Sequence, residues 1–469
     1  MKKTSQSRRH FLAKSSVLAT GLTLGGHALS SAPFNTGRVP GANDRVRVGF
    51  IGVGNRGTQL MNWFMENDDV EVAALCDVYQ PYADRDINAV SERYKAIGKV
   101  PDLSQQFDKK VKRYKDFRKM LEQKDIDAVC IATPDHWHAI QMIAAVDAGK
   151  DVYVEKPLAI TIKEGREMVN AQKRTGQVVQ VGLNRRGSSV YRKLHEEIRN
   201  GKIGKVTSGR AMRVSNMAPN GIGKMQPEEP PANFDWDMWL GPRPYRPYQY
   251  NIAPYYFRWW SEFSSQMGNW GVHYMDVIRW MTDETAPRYI SAHGGKFAVN
   301  DDRDIPDTME VFFEFDSGRI VQFSIHEASG GHGIQGGEIE LLGEKGNITA
   351  SQNGYKVSPS RPGQFQTWKQ LLEPEEQNVK SGTAFGDLGI RENTSANLVR
   401  NFLDCVKSRE TPVCTLEDGH RSTSFAHLAN IALAMRQRLE WDAEKEQFVN
   451  NPEANKMLHY QYRKPWKLG

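Results

Sequence analysis

The chain has 469 residues, with 62 lysines and arginines against 56 acidic residues and a formal charge of +6. The excess sits in residues 1–43, which hold Lys2, Lys3, Arg8, Arg9, Lys14 and Arg38 and no acidic side chain, so the remainder is balanced and nucleic acid is excluded as a partner for want of phosphate-neutralising charge. The body of about 425 residues is comfortable for two domains, and no apolar run after the leader reaches the ~18 residues that a membrane span needs.

Ser7-Arg8-Arg9-His10-Phe11-Leu12-Ala13-Lys14 reads as a twin-arginine export signal followed by a mildly apolar stretch. Residues 1–43 are therefore expected to be signal and linker, with cleavage near Ala28-Leu29-Ser30 and a periplasmic destination. With no cysteine after the leader, a lipid anchor is disfavoured. The four cysteines, Cys76, Cys130, Cys405 and Cys414, make no disulfide framework, and free thiols are expected.

From Val46 short β-branched runs alternate with helical periods, predicting strands at 46–52, 70–76, 128–132, 151–154 and 178–181 and helices at 58–67, 140–148 and 162–175. This is the pattern of a doubly wound parallel sheet, a Rossmann dinucleotide-binding domain over 44–185. Gly52-Val53-Gly54-Asn55-Arg56-Gly57 follows the first strand and opens a helix. Gly52 suits the tight turn, Gly54 the approach of a pyrophosphate to backbone N–H groups, and Gly57 the packing of helix on strand; Asn55 and Arg56 fall in the same phosphate-facing turn. Asp77, 20 residues beyond Gly57, is placed to bind the adenosine ribose hydroxyls and repel a 2′-phosphate, which selects NAD over NADP. A cofactor carried through an export route for folded proteins is expected to be tightly held.

Thr133-Pro134-Asp135-His136-Trp137-His138 follows the next strand, with Thr133 as expected N-cap and Pro134 as first helical residue. The two histidines have H-x-H spacing but no third ligand beside them, so no metal is expected and Thr133, Pro134, Trp137 and His138 are read as facing the cofactor. Glu155-Lys156-Pro157 lies past the end of another strand, the edge where open α/β sheets bind ligands, and a lysine there can stabilise a developing alkoxide.

After residue 185 the texture changes to hairpin-forming strands at 205–215, 288–299, 308–315, 319–325 and 338–342. Together with helices at 268–281, 392–407 and 420–438 covering one face, they predict an α+β domain over 186–469 with an open, largely antiparallel sheet, suited to substrate binding and homo-oligomerisation. Eleven aromatic residues among the 27 from Phe234 to Trp260 suit either a loop whose flat faces meet sugar rings or a satellite core. Trp236 and Trp259 in this stretch, with Arg185 after the last Rossmann strand, are the expected substrate contacts.

The dinucleotide fingerprint, the block from Thr133 to His138, the Glu155-Lys156-Pro157 triplet and Gly268-Asn269-Trp270-Gly271-Val272-His273 together resemble the glucose-fructose oxidoreductase and inositol dehydrogenase family (Gfo/Idh/MocA). The resemblance extends over nearly the whole body, including Pro306 to Thr308 and Gly419-His420-Arg421. It implies a Rossmann domain followed by an open α/β domain, NAD or NADP, and redox chemistry on sugars and polyols, with some members exported by the twin-arginine route. The family's motif lysine falls on Lys156, its catalytic histidine on His273, and a cofactor or substrate contact on Asn184. One departure stands out: where dehydrogenases of the family carry an aspartate four residues before the histidine, this chain has Asn269. On a helical wheel Asn269, His273 and Asp276 share a ~60° arc, which makes Asp276 a candidate to tune the histidine. The expected activity is NAD-dependent oxidation of a secondary hydroxyl of a sugar, glycoside or cyclitol, with C3 of a hexoside the specific expectation. The alternatives are an NAD-dependent glycosidase working by transient C3 oxidation and elimination, and a non-catalytic sugar-binding protein.

Overall fold

The structure, a computed structural model, describes residues 44–360, 372–378 and 392–469, so the export-signal reading lies outside the described residues. A first sheet is built from β1 (Val46–Ile51), β2 (Val70–Cys76), β3 (Lys112–Tyr114), β4 (Ala128–Ile131), β5 (Asp151–Val154) and β6 (Val179–Val181), joined in the order β3-β2-β1-β4-β5-β6. Every pair is parallel. β4, β5 and β6 are buried along their whole length because helices cover both faces, which is why they are mainly apolar, with Asp151 and Gln180 the exceptions. The order reverses between β1 and β4, and the crevice at that switch point is where such sheets take a ligand. β3, with the sequence Lys-Arg-Tyr, has no apolar run to announce it.

Among the connecting helices are α1 (Asn55–Met65), α2 (His138–Asp147) and α3 (Ile162–Thr175). α3 shows why its bounds are readable: Thr161 and Glu164 form a capping box at one end, and Gly176 takes a left-handed conformation at the other.

The second sheet has ten strands, β7 (Val206–Val214), β8 (Tyr289–Gly295), β9 (Thr308–Glu314), β10 (Ile320–His326), β11 (Ile339–Gly343), β12 (Gly346–Ser351), β13 (Gly354–Pro359), β14 (Glu375–Asn378), β15 (Leu439–Asp442) and β16 (Gln447–Phe448). Their order is β14-β13-β12-β11-β7-β10-β9-β8-β15-β16. The pairing is antiparallel except between β7 and β10, so the sheet is mixed and mostly antiparallel. α4 (Ser189–Arg199), α5 (Val272–Thr282) and α7 (Leu416–Met435) cover one face, burying Tyr191, Leu194, Ile278 and Phe425 against Val311, Phe313 and Phe323. The other face leaves Phe312, Ile320 and Leu342 exposed.

One expectation is corrected here, and one pair of alternatives is resolved. The helix expected at 392–407 forms as α6 (Thr394–Ser408), but it packs on the first sheet: Leu398, Phe402 and Val406 join Phe64 and Tyr153 in one core. Arg400 and Lys407 fix it there through Asp69, at 2.8 and 2.7 Å. The aromatic stretch is largely core: Phe234, Trp236, Trp239, Tyr248, Tyr250, Phe257, Trp259 and Trp260 are buried in the same cluster. The four cysteines are free and buried. Among the described residues no helix is long and apolar enough to cross a membrane.

Candidate active site

A cavity of about 510 Å³ opens at the C-terminal edge of the parallel sheet and runs from the glycine turn to the start of α5. That size falls in the range of small-molecule sites. Gly52 has φ +81°, and a Cβ there would meet Thr133 N at 2.8 Å; a Cβ on Gly57 would lie 1.8 Å from Gly52 O. The protein's own backbone therefore demands the first and third glycines. A Cβ on Gly54 would meet nothing nearer than the Tyr82 ring at 3.9 Å, so the space before that residue is open to a ligand. Gly54 caps α1 without a side-chain hydrogen bond, leaving the helix's first N–H groups for an anion. The cradle fits a dinucleotide pyrophosphate.

Asp77, one residue past β2, lines the cavity. Its Oδ2 accepts from Val53 N and its Oδ1 from Tyr79 N, both at 2.9 Å. Burial pushes its carboxyl up to about 6 against the pull of those N–H groups. Each oxygen keeps a lone pair for a ribose hydroxyl.

Asn55 and Arg56 also line the cavity, Asn55 with its amide on Lys99 O at 2.6 Å. Arg56 donates from Nε to Glu155 Oε1 at 2.8 Å, while Glu155 Oε2 accepts from Lys156 N at 3.1 Å. One buried carboxylate thus connects the glycine turn to the candidate catalytic lysine. Lys156 donates from Nζ to Asn269 O at 2.7 Å and lies 3.3 Å from Asn269 Oδ1. Burial lowers its ammonium to about 8, although Glu155 and Asp135 pull the other way.

His273 is the second residue of α5 and lines the same cavity. It is buried, and its Nδ1 has no partner among the described residues. Burial, then the positive charges of Arg185 and Lys156, hold the imidazole well below its ordinary value, so it is neutral near pH 7 and can accept a proton. Asn184 borders the cavity with its Oδ1 buried and unpartnered. Two buried orphan atoms at one cleft are what a bound ligand would satisfy. Arg185 lines it as well, but its guanidinium is held by Glu338 and lies over the Tyr274 ring at 4.9 Å.

Several expected contacts lie elsewhere. Thr133 is not an N-cap: its hydroxyl donates to Gln141 Oε1 at 2.7 Å, and Pro134 caps a 3₁₀ turn, Asp135–Trp137, before α2. Thr133, Pro134 and Trp137 still line the cavity. His138 does not; it is buried with Nδ1 2.8 Å from Pro157 O and Nε2 3.0 Å from Thr133 O, bracing two backbones instead of touching a cofactor. His136 is turned to Trp239 O, and burial pushes it down to about 3. Trp236 stacks on Trp239 and donates to Arg246 O, and Trp259 donates to buried Glu327, so neither reaches the cavity as a sugar platform.

Asp276 is likewise corrected. It is fully buried, accepts three hydrogen bonds from Arg186 and one from Ser422, and does not line the cavity. Asp276 lies on the same regular helix as His273, less than a turn further on, where Arg186 and Ser422 take up its carboxylate; ahead of α5, Met267–Gly271 is a π turn, and Asn269 within it accepts from Lys156. Residues that sequence reasoning passed over are Asp135, whose carboxylate accepts from Ser264 Oγ, and Tyr255, Arg258 and Trp270. Asp135 lay in plain view between two quoted residues; Arg258 was hidden in the aromatic run.

The parallel sheet, its glycine turn and the acidic residue after β2 define an NAD-binding Rossmann oxidoreductase fold. Family models agree along the chain: "Oxidoreductase family, NAD-binding Rossmann fold" over residues 46–183, "GFO/IDH/MocA C-terminal domain" over 239–349 and "Oxidoreductase family, C-terminal alpha/beta domain" over 392–468. The chain belongs to the Gfo/Idh/MocA oxidoreductase family. A glycosyl hydrolase family 109 protein from a Shewanella species is 36% identical over 182 residues, 36% of this chain and 37% of that protein, so the match spans little more than a third of the relative's length. The fold is shared with an aldose-aldose oxidoreductase from Caulobacter crescentus, at 16% identity and TM-score 0.57, covering 84% of this chain and 99% of that one. It is shared too with a levoglucosan dehydrogenase in complex with NADH, at 17% identity and TM-score 0.59, covering 85% and 99%.

Proposed function

We propose that the protein oxidises a secondary hydroxyl of a sugar, glycoside or cyclitol, with C3 of a hexoside the foremost candidate, and keeps its NAD tightly bound. The observation that carries this reading is one cleft holding the glycine turn, Asp77, a lysine lowered to about 8 and a neutral, unpartnered histidine. NAD, when bound, supplies the acceptor for the hydride that leaves the carbinol carbon. Gly52 to Gly57 and Asp77 would hold it. His273 accepts the hydroxyl proton, and Lys156, anchored by Asn269, donates to the substrate oxygen as negative charge builds on it. Loss of the hydride and the proton leaves a ketone.

The twin-arginine sequence around Arg8 and Arg9 supports a periplasmic location. Exposed Phe312, Ile320 and Leu342 on the open face of the second sheet support a homo-oligomer.

A second reading, an NAD-dependent glycosidase, is favoured by the glycosyl hydrolase family 109 relative. One experiment separates the two. Protein isolated from the exported fraction is examined by native mass spectrometry for near-stoichiometric dinucleotide, then mixed with a 3-deuterated glycoside. The dehydrogenase passes the label to the bound cofactor and accumulates a keto-glycoside until an acceptor is added. The glycosidase releases aglycone without an acceptor and takes up solvent deuterium at C2. Protein that is empty of dinucleotide and needs NAD added at every turnover refutes the retained-cofactor reading.

A further inference from the structure

Six lysine and arginine side chains line the cavity; Lys115 is exposed, and the other five divide by partner. Arg56 and Arg185 are neutralised by Glu155 and Glu338. Lys156 has the oxygens of Asn269, and Lys99 is exposed at the rim, 5.3 Å from the centre of the Tyr255 ring. Arg258 is the unusual one. Its guanidinium lies 4.4 Å from the centres of the Tyr255 and Phe257 rings, and its hydrogen bond runs from Nη1 to Tyr255 O at 2.8 Å. Among the described residues no carboxylate is in ion-pair contact with it, and burial lowers its hold on the proton.

A guanidinium in contact with two aromatic rings and tied to the Tyr255 carbonyl is restrained in orientation, and its planar fork of N–H groups matches a carboxylate. The charges that act on it, Asp135 and Glu155, also act on Lys156, which puts Arg258 at the lysine's end of the cleft. A neutral glycoside would leave that half-buried cation with only the more distant charges of Asp135 and Glu155 and no ion-pair partner among the described residues.

We propose that Arg258 recognises an anionic group on the sugar, specifically a carboxylate, so that the protein's substrate class is an acidic sugar such as a hexuronide. Tyr255 is the plate that holds the guanidinium in place, with Lys99 adding positive field at the mouth. This inference rests on the reading of the cleft as a sugar site, and its test is a binding measurement that needs no turnover.

Full-length, NAD-loaded protein is titrated by calorimetry with methyl glucuronide, methyl glucoside and methyl glucoside 6-sulfate. The glucuronide is expected to bind about 30-fold more tightly than the glucoside, as one charge-assisted pair would give. Arg258→Gln brings that ratio close to one, Arg258→Lys leaves an intermediate ratio, and both variants retain their dinucleotide. Equal affinity of the wild type for glucuronide and glucoside, or no binding of either, overturns the proposal. Tighter binding of the sulfate than of the glucuronide overturns the carboxylate assignment, and loss of dinucleotide from Arg258→Gln reassigns the residue to the cofactor. A protein that prefers the glucuronide yet transfers no hydride refutes the proposed oxidation and leaves this inference standing. Hydride transfer from neutral glycosides with no preference for the glucuronide does the reverse.

Discussion

Lys156 Nζ donates to the main-chain oxygen of Asn269 across 2.7 Å, joining the end of β5 to the π turn that leads into α5. The contact holds an ammonium at the cleft without a carboxylate to neutralise it. Replacing Lys156 by Met, or His273 by Ala, is expected to lower the hydride-transfer rate by ~10² or more while leaving NAD in place, because both groups act where charge moves. Single-turnover absorbance at 340 nm checks this, and a near-wild-type rate in either variant removes that residue from the mechanism.

The pH profile follows from the same two groups. His273, held well below its ordinary value by burial, stays neutral as pH falls through 6.5, so no loss of rate is expected there. Lys156 loses its charge near pH 8, and with it the positive donor for the substrate oxygen, so the rate should decline above that pH. A rate that instead rises through pH 8 would show that the neutral amine takes the proton.

The glycine turn separates folding from binding. Gly57→Ala places a methyl 1.8 Å from Gly52 O and is expected to destabilise the protein strongly. Gly54→Ala meets only the Tyr82 ring at 3.9 Å and should leave the thermal midpoint unchanged, yet weaken dinucleotide binding by ~10-fold or more through a methyl at the pyrophosphate. Thermal melts paired with dinucleotide titration decide it; intact affinity in Gly54→Ala would move the pyrophosphate away from that turn.

Asp77 binds two backbone N–H groups of the cavity wall. Asp77→Ala is expected to weaken NAD binding by ~10-fold or more and to narrow the preference over NADP, since the variant loses both an acceptor for the ribose and the charge that repels a phosphate. Equal affinity of the wild type for the two dinucleotides would contradict this.

Arg166 binds Glu417 at 2.9 Å and Glu446 at 2.7 Å, between α3 and α7 with its following hairpin. Burial would raise both carboxyls, but their hydrogen bonds win, from Arg166 on Glu417 and from His420 and Arg166 on Glu446, and hold each at about 2. A carboxyl lowered on folding contributes stability that is complete above its unfolded value near 4.5 and is lost as pH falls toward 2. Arg166→Met should lower the thermal midpoint at pH 6 by about 2 °C and flatten its fall between pH 5 and 3. Parallel acid slopes in the two proteins would count against the network.

Much of the first sheet could be read from the chain because its signals are local. Val70–Cys76, apolar but for Glu71, and Asp151–Val154, apolar after Asp151, are short β-branched runs, and the capping box fixes Ile162–Thr175 to the residue. The site was harder. Gly52, Asp77, Lys156 and His273 share the cavity as expected, since each belongs to a motif whose spacing carries its meaning. Asp276 was misplaced because a helical wheel does not show that Arg186 and Ser422 claim its carboxylate, and His138 because motif spacing does not reveal the 3₁₀ turn ahead of its helix. Trp236 and Trp259 were misplaced because composition cannot tell an aromatic that faces a cleft from one that faces Glu327 or another indole. Arg258 could be found only by asking which cleft cations lack an acid, a question about neighbours distant in sequence.

The four buried thiols have a bearing on where such a body can work. Cys76, Cys130, Cys405 and Cys414 are all enclosed, and burial raises each thiol above its ordinary value, away from thiolate formation near neutral pH. With no reactive sulfur at its surface and no bridge to close, the fold owes nothing to the redox state of the solution around it. The same covalent chain can be assembled under reducing conditions and operate under oxidising ones, with neither an oxidant nor an isomerase in between.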